Sequence, residues 1–315
     1  MDKSLLKNLN ILYKEINKMS NTNTTKSKKI LYIIISSIIV ILIAILIGTV
    51  YIEDNSLNII DEQKLYIFYF YVGQADCTLI VNNGETMLID GGNEADSQNI
   101  IDYISNLGIT KLDYIIATHA DSDHIGRLDK IIQAFDVTNI FMPNTDKELN
   151  AVTEIIEIAS DRISVPSKND IFYVGNSECT VVSIDDETQE NVTTNNSSIV
   201  IQLDYNEISC LFMGDAETEV ENSIIWEDID VLKVAHHGSN DSTSSEFLDA
   251  TKPEYSIISV GINNKFGHPS EETLERLKQA NSVIYRTDED GTIILISDGE
   301  SYYFEFDETS LDGNV

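Results

Sequence analysis

The sequence predicts an α/β protein, a four-layer α/β/β/α sandwich carried on one N-terminal transmembrane helix. Residues 30–52 contain no acid or base between Lys29 and Glu53, a stretch long enough to cross a bilayer core as a helix. From residue 64 onward, short apolar runs rich in β-branched and aromatic residues alternate with helical patterns in two strand-rich halves. Acids and histidines recur where those apolar runs end. Of 315 residues, the part beyond the first fifty or so suits one large layered domain, although periodicity alone would equally allow two separate α/β units.

Charge orients the anchor. Residues 1–29 form a basic leader in which Lys3, Lys7, Lys14, Lys18, Lys26, Lys28 and Lys29 stand against Asp2 and Glu15, whereas Glu53 and Asp54 follow the apolar stretch. Positive charge is retained on the cytoplasmic side, so the N-terminus is expected in the cytoplasm, residues 30–52 in the lipid bilayer of the cell membrane, and the remainder outside the cell. A cleaved signal peptide is the rival reading, but its apolar core would be shorter and a small-x-small site would follow. The leader carries seven bases and two acids, so the rest of the chain has 13 bases and 51 acids, or −38 of the total −33 once the leader's +5 is added back. Such a surface repels polyanions at long range and offers no basic stripe for tracking nucleic acid, although metal ions in a cleft reverse the local field.

After an acidic linker at 53–63, the domain at 64–307 opens with a β-meander, turned at Asn83-Gly84. A helix is expected near 97–107, then strand LDYIIAT, a helix from Ile125 to Phe135, strand NIFM and a helix near 147–159. The second block holds strands NSSIVIQLDY and ISCLFMG, a short helix from Ala216, strand DVLKVA, a helix near 243–250, strand YSIISVG and helix SEETLERLKQA, and it closes with strands VIYRT, TIILIS and YYFEF. Residues 308–315 read as an acidic tail. Cys77, Cys179 and Cys210 lie far apart in apolar contexts without CxxC spacing, and read as core thiols; one disulfide would be permitted outside the cell, with no pairing assignable.

The chemistry sits on few residues. The five histidines, His119, His124, His236, His237 and His268, are all read as standing where an apolar strand ends. In THADSDHIG, His119, Asp121, Asp123 and His124 place four ligand types within six residues at a strand-to-helix turn, where they converge on a small volume. The bland alternative is a solvated turn with an Asx cap. Asp215 in LFMGDAE and His236 and His237 in DVLKVAHHGS stand at the ends of further apolar strands, as a metal site at one sheet edge requires. Two adjacent residues seldom aim at one ion, so His237 is favoured over His236. Asp90 in LIDGG either orients a ligating histidine from behind or is a turn residue before Gly91.

Taken in order, LIDGG, HADSDHIG, NNSSIVI, GDAE, VLKVAHHGS and FGHPS resemble the metallo-β-lactamase superfamily, and in particular the extracellular hydrolase domain of the ComEC/Rec2 competence proteins. The resemblance implies the αββα metallo-β-lactamase sandwich, with His119, Asp121, Asp123 and His124 as one ligand motif, Asp215 as the bridging carboxylate, and His237 or His236 as the last ligand. Two departures matter. Asp121 stands where most members carry histidine, and the mid-chain histidine ligand is absent, because that stretch reads Asn195, Asn196, Ser197, Ser198. One metal position, Asp123, His124, Asp215 and a late histidine, is then complete; the other keeps only His119, Asp121 and Asp215. One or two divalent ions are implied, Zn²⁺ or Mn²⁺.

Such ions acidify bound water and stabilise charge on a reacting phosphorus or carbonyl centre. The expected activity is therefore metal-dependent hydrolysis, foremost of phosphodiester bonds. Asp123 is expected to orient the attacking water as well as bind metal, and His268 in KFGHPS to protonate the leaving group, unless it only enters the following helix. Ser239, Asn195 and Asn196 are candidates for holding substrate oxygens. A single membrane helix excludes a complete uptake channel, and the acidic surface favours a target smaller than DNA, such as a phosphocholine or other wall-polymer ester. The competing class is a non-catalytic surface binding protein of the same fold. No protein partner is legible.

Overall fold

The computed structural model describes residues 60–145, 149–186, 190 and 192–313. The leader, the span 30–52 and most of the linker 53–63 lie outside these residues; among the described residues no helix is long and apolar enough to cross a membrane.

Two mixed sheets carry the fold. The first contains β1 (Leu65–Tyr69), β2 (Thr78–Asn82), β3 (Glu85–Ile89), β4 (Lys111–Ile116), β5 (Asp136–Phe141) and β6 (Ile163–Ser164). The second contains β7 (Ile171–Val174), β8 (Ser177–Ser183), β9 (Val200–Tyr205), β10 (Ile208–Phe212), β11 (Val231–Lys233), β12 (Tyr255–Ile258) and β13 (Val283–Arg286). The last two strands, β14 (Thr292–Ser297) and β15 (Tyr302–Asp307), return to the first sheet, giving the orders β15-β14-β1-β2-β3-β4-β5-β6 and β13-β12-β11-β10-β9-β8-β7. This corrects the expectation that they close the second block. Ile293 and Leu295 of β14 face the space between the sheets, where they bury against Leu65, Ile67 and Tyr69 of β1.

The layering follows from side-chain alternation. Tyr66 and Phe68 of β1 point outward to a core shared with the first sheet's helices, whereas Leu65, Ile67 and Tyr69 point inward to a core between the sheets. Likewise Cys210 and Phe212 of β10 point inward, and Leu211 outward to a third core. Three cores between four layers bury both faces of the central strands, so these read as continuous apolar runs rather than as alternating ones. Phe68 is 2% exposed, and truncating it to alanine is expected to cost about 3–5 kcal/mol. The three cysteines belong to these cores: all are buried and unpaired, and burial raises each thiol's pKa.

Each sheet repeats one plan, an antiparallel meander continued by parallel strands: β3-β4-β5-β6 in the first and β10-β11-β12-β13 in the second. Parallel strands deliver their C-terminal ends to one rim, where open α/β sheets bind ligands. Helices α1 (Ser97–Asn106), α2 (Ser122–Ile125), α3 (Leu128–Ala134) and α4 (Asn150–Ala159) belong to the first half, and α5 (Thr218–Asn222), α6 (Ser245–Thr251), α7 (Glu271–Gln279) and α8 (Thr287–Asp290) to the second. The helix expected over 125–135 is broken at Gly126, whose N–H leaves the helical ladder to donate to the Gly92 carbonyl at 3.1 Å. A Cβ there would lie 2.5 Å from the Glu94 nitrogen and the Ser122 oxygen, so only glycine fits this crossing. Helix α7 obeys end rules throughout: Ser270 caps it by accepting from the Thr273 N–H, Glu271 and Glu272 occupy its first turn, and Arg276 and Lys278 its last. Within the acidic tail, Leu311 is 3% exposed and its N–H donates to the Tyr71 carbonyl at 2.9 Å.

Candidate metal centre

The rim gathers one loop from each of several strand ends. Asp90 follows β3, residues 118–121 follow β4, Asp215 follows β10, and His236 and His237 follow β11. The first-half loops are cross-linked by main-chain bonds: Asp76 N–H to the Asp123 carbonyl, 3.1 Å, Gly91 N–H to His124, 2.7 Å, and Gly92 N–H to Asp76, 2.9 Å. In the second half, Ser270 N–H donates to the Gly238 carbonyl at 2.9 Å and the Thr273 hydroxyl to the Ser239 carbonyl at 2.8 Å. Two histidines depart from the strand-end expectation: His124 lies within α2, and His268 lies in the loop after β12, half-buried, its ring stacked on Phe266 and edge-on to His236.

Proton accounting shows what the histidines are set to do. Asp90 accepts at Oδ1 from the Thr118 N–H, 2.8 Å, and at Oδ2 from the Thr118 hydroxyl and from His124 Nδ1, both 2.7 Å. The Thr118 hydroxyl proton is thus spent on Asp90, so its oxygen accepts from His119 Nδ1 at 3.0 Å. His237 Nδ1 donates to the Ser259 carbonyl at 3.0 Å. In all three rings Nδ1 is engaged from behind, and Nε2 faces the centre. Those three Nε2 atoms and Asp215 Oδ1 are buried without a hydrogen-bond partner, which would cost about 1–3 kcal/mol each if nothing were to bind there.

Asp215 stands between them. Its Oδ1 lies 3.2 Å from His124 Nε2 without hydrogen-bond alignment, and its Oδ2 lies 3.8 Å from His119 Nε2, 3.8 Å from His236 Nε2 and 3.9 Å from His237 Nε2. Asp123 Oδ2 is 3.6 Å from His237 Nε2, and Asp121 Oδ2 is 3.8 Å from His119 Nε2. The ligand atoms of His119, His124 and Asp215 lie within 4.8 Å of one another, as do those of Asp123, His124 and His237. Neutral imidazoles backed at Nδ1, alternating with carboxylates, are the donor set that holds Zn²⁺ or Mn²⁺. The residues present therefore fit one or two divalent ions, with Asp123, His124, Asp215 and His237 forming the complete set.

Electrostatics in the metal-free site agree. Burial would raise the Asp215 and Asp123 carboxyls, but the imidazoles of His124 and His237 outweigh it and hold both well below the usual range. Burial would lower His124 and His237, but Asp215 with Asp90 raises the first, and Asp215 with Asp123 the second. His119 is lowered by burial and by His124, and His268 by burial, His236 and His237. Cations are thus held where a metal's charge is wanted.

Both halves store backbone strain at this rim. His236 and His237 have φ of 49° and 52°, and Asp90 has φ 60°; left-handed conformations at non-glycine residues cost about 1–3 kcal/mol each and cluster at functional sites. Asn195, Asn196 and Ser239 have other partners than solvent. Asn195 Nδ2 donates to Glu217 Oε1 at 2.8 Å, Asn196 Oδ1 accepts the Glu217 N–H at 2.9 Å, and the buried Ser239 hydroxyl accepts from the Asp241 N–H at 3.3 Å. Four contributors go unnoticed in the sequence: Thr118, Ser198, Asp76 and Lys233. Ser198 Oγ accepts the Asp215 N–H at 3.1 Å and sits 3.4 Å from His119 Nδ1. Lys233 Nζ, 3% exposed, donates to Asp76 Oδ2 at 2.8 Å, and Asp76 Oδ1 lies 4.0 Å from His237 Nδ1. A lysine inside the apolar run DVLKVA is the one signal that pointed there.

Beside the centre opens a cleft of about 440 Å³, bordered by Gln74, Asn93, Asp123, Lys265, Phe266 and Asp312 among others. A rim of parallel strand ends bearing this donor set defines the class, and a family model described as the metallo-beta-lactamase superfamily matches residues 70–262. The chain belongs to that superfamily. It is similar to ComE operon protein 3 of Bacillus subtilis (strain 168), 32% identical over 201 residues that cover 62% of this chain and 26% of that protein. It is also similar to Recombination protein 2 of Haemophilus influenzae, 31% identical over 70% of this chain and 27% of that one, and to Competence protein ComA of Neisseria gonorrhoeae, 25% identical over 74% and 32%. The chain spans about a quarter to a third of the length of these relatives, and the resemblance read from its motifs to ComEC/Rec2 competence proteins is borne out.

Proposed function

We propose that this chain is a metal-dependent hydrolase of phosphodiester bonds, anchored in the cell membrane through residues 30–52 with its catalytic domain outside the cell. The observation that carries the hydrolase reading is the set of three buried, unpartnered imidazole Nε2 atoms around the Asp215 carboxylate. The phosphodiester is favoured because two relatives are named for recombination and for competence, the first a process of DNA. The −38 carried outside the leader favours a short or small ester over a long polyanion.

His119, Asp121, Asp123, His124, Asp215, His237 and His236 would hold the metal, Zn²⁺ or Mn²⁺. When bound, such ions supply Lewis acidity, lowering the pKa of water in the cleft and opposing negative charge on the phosphoryl oxygens. Asp123, ionised and at the cleft wall, orients the attacking water by accepting a hydrogen bond from it. Asp90 fixes the His124 ring. Lys265, at the cleft border, meets the ester's charge. His268, half-buried beside His236, protonates the leaving oxygen; an alkoxide needs that proton to leave and a nitrophenolate does not, so His268→Gln is expected to spare nitrophenyl esters and slow alkyl ones by about 10²-fold.

The test is hydrolysis of bis(p-nitrophenyl) phosphate by the full chain in detergent, with Mn²⁺ or Zn²⁺, beside Asp123→Ala. Metal-dependent turnover absent from the variant supports the reading. Folded, metal-loaded protein without turnover sinks it and points to a phosphocholine or other wall-polymer ester, or to a non-catalytic surface binding protein.

A further inference from the structure

We infer that Asp312, carried by the chain beyond β15, is a charge filter on the wall of the cleft, selecting singly charged phosphodiesters over doubly charged phosphomonoesters and chain-terminal phosphates. This deepens the phosphodiester reading above and rests on it, naming the charge of the ester that the same site accepts.

Strand β15 ends at Asp307, yet the chain after it stays bound to the fold. Leu311 is buried, its N–H donates to the Tyr71 carbonyl at 2.9 Å, and its carbonyl accepts from Asn99 Nδ2 at 3.2 Å. Gly313 N–H donates to Asp96 Oδ1 at 2.9 Å, and a Cβ at Gly313 would lie 2.0 Å from the Ala95 carbonyl oxygen, so the chain passes tight against the loop between β3 and α1. Asp96 is fully buried, and its Oδ2 accepts the N–H of Asn93, itself a residue of the cleft, at 2.6 Å. Both neighbours of Asp312 are therefore fixed, and its side chain is brought to the cleft wall beside Gly73. Gly73, at φ 68°, leaves the room: a Cβ on it would lie 2.5 Å from Asp312 Oδ2.

Among the described residues that border the cleft, Asp123 and Asp312 are the acids and Lys265 the base. Asp123 belongs to the donor set, with its Oδ2 3.6 Å from His237 Nε2. Asp312 stands apart from that set and adds its charge to the field of the cleft, where low-dielectric walls concentrate it. Metal ions attract any phosphate, and a dianion more than a monoanion, so a site meant for diesters needs an opposing charge nearby. A diester brings one negative charge, which Lys265 meets. A monoester above its second pKa of about 6 brings nearly two, and the additional charge meets Asp312.

The experiment compares kcat/KM for bis(p-nitrophenyl) phosphate and p-nitrophenyl phosphate, which share a leaving group and differ in charge, at pH about 8, using the full chain in detergent with Mn²⁺. Asp312→Asn is expected to raise the monoester-to-diester ratio about tenfold, chiefly through the monoester KM, and this gain is expected to shrink at high salt. Asp312→Glu, which keeps the charge, is expected to keep the wild-type ratio. Asp312→Ser serves if the asparagine variant unfolds. A ratio that the neutral variants leave unchanged, that the glutamate variant raises equally, or that rises independently of salt overturns the filter, while wild-type turnover of the diester leaves the phosphodiester reading standing. A wild type that hydrolyses neither ester overturns both.

Discussion

The two halves of the domain serve the same rim differently. The first supplies His119, Asp121, Asp123 and His124 from one turn whose histidines are fully buried and whose loops are tied by main-chain bonds. The second supplies Asp215, His236 and His237 from separate strand ends; the His236 side chain is 23% exposed and the pair is left-handed. One half presents its ligands from a single turn, the other from two separate strand ends. Contiguous ligands are positioned by a single turn, whereas dispersed ones need carriers such as Arg276, whose guanidinium holds the carbonyls of Ser242 and Thr243, and Glu221, whose carboxylate accepts the Thr243 and Ser244 N–H groups.

Asp215 is where the halves meet, and its loss should have the largest effect. Asp215→Asn is expected to abolish metal binding and lower kcat/KM by roughly 10³-fold or more; a variant that still binds metal with wild-type affinity would show that the first half suffices alone. Next is the buried ion pair joining the halves. Lys233→Ala leaves Asp76 charged in a dry site and should cost about 3–5 kcal/mol in urea unfolding, whereas Lys233→Met with Asp76→Asn should recover most of it. A double variant as unstable as the single would mean that the pair itself, rather than the orphaned charge, holds the halves together. Third, Asp90→Asn weakens the backing of His124 and is expected to reduce metal affinity about 10–100-fold, measurable by competition with a chelating dye.

The smallest effect is on pH dependence. In the metal-free chain, the raised His124 and His237 contribute stability that is fully present below the unfolded histidine value of about 6.5 and is lost as pH rises through their folded values. The lowered Asp123 and Asp215 contribute above the unfolded value of about 3.9 and lose it as pH falls through theirs. Metal-free protein should therefore melt at lower temperature as pH rises from about 6 to 9. Metal-loaded protein should gain stability relative to it over the same window, because ligation needs neutral rings. Parallel melting curves with and without metal would remove the linkage.

What the sequence revealed follows the same division. His119 to His124 were legible because one turn fixes their relation, and the central strands because two buried faces make their runs apolar. Asp215 and the histidine pair were legible as strand ends. The double left-handed turn at 236–237 was not, since nothing in His-His-Gly dictates φ, and neither was the Asp76–Lys233 pair, whose partners are 157 positions apart. The return of β14 and β15 to the first sheet depends on which apolar face they cover, which periodicity does not say. His268 was misplaced because its loop continues ten residues beyond β12.

The three buried thiols have a practical consequence. With Cys77, Cys179 and Cys210 sealed inside the cores and held protonated by burial, they are poor nucleophiles and poor targets for oxidants. The described domain owes nothing to a cross-link, so it is indifferent to whether its surroundings are oxidising or reducing. It can be purified without dithiol reductants, which would themselves compete for a thiophilic ion, and a metal count made on it then measures the protein rather than the buffer.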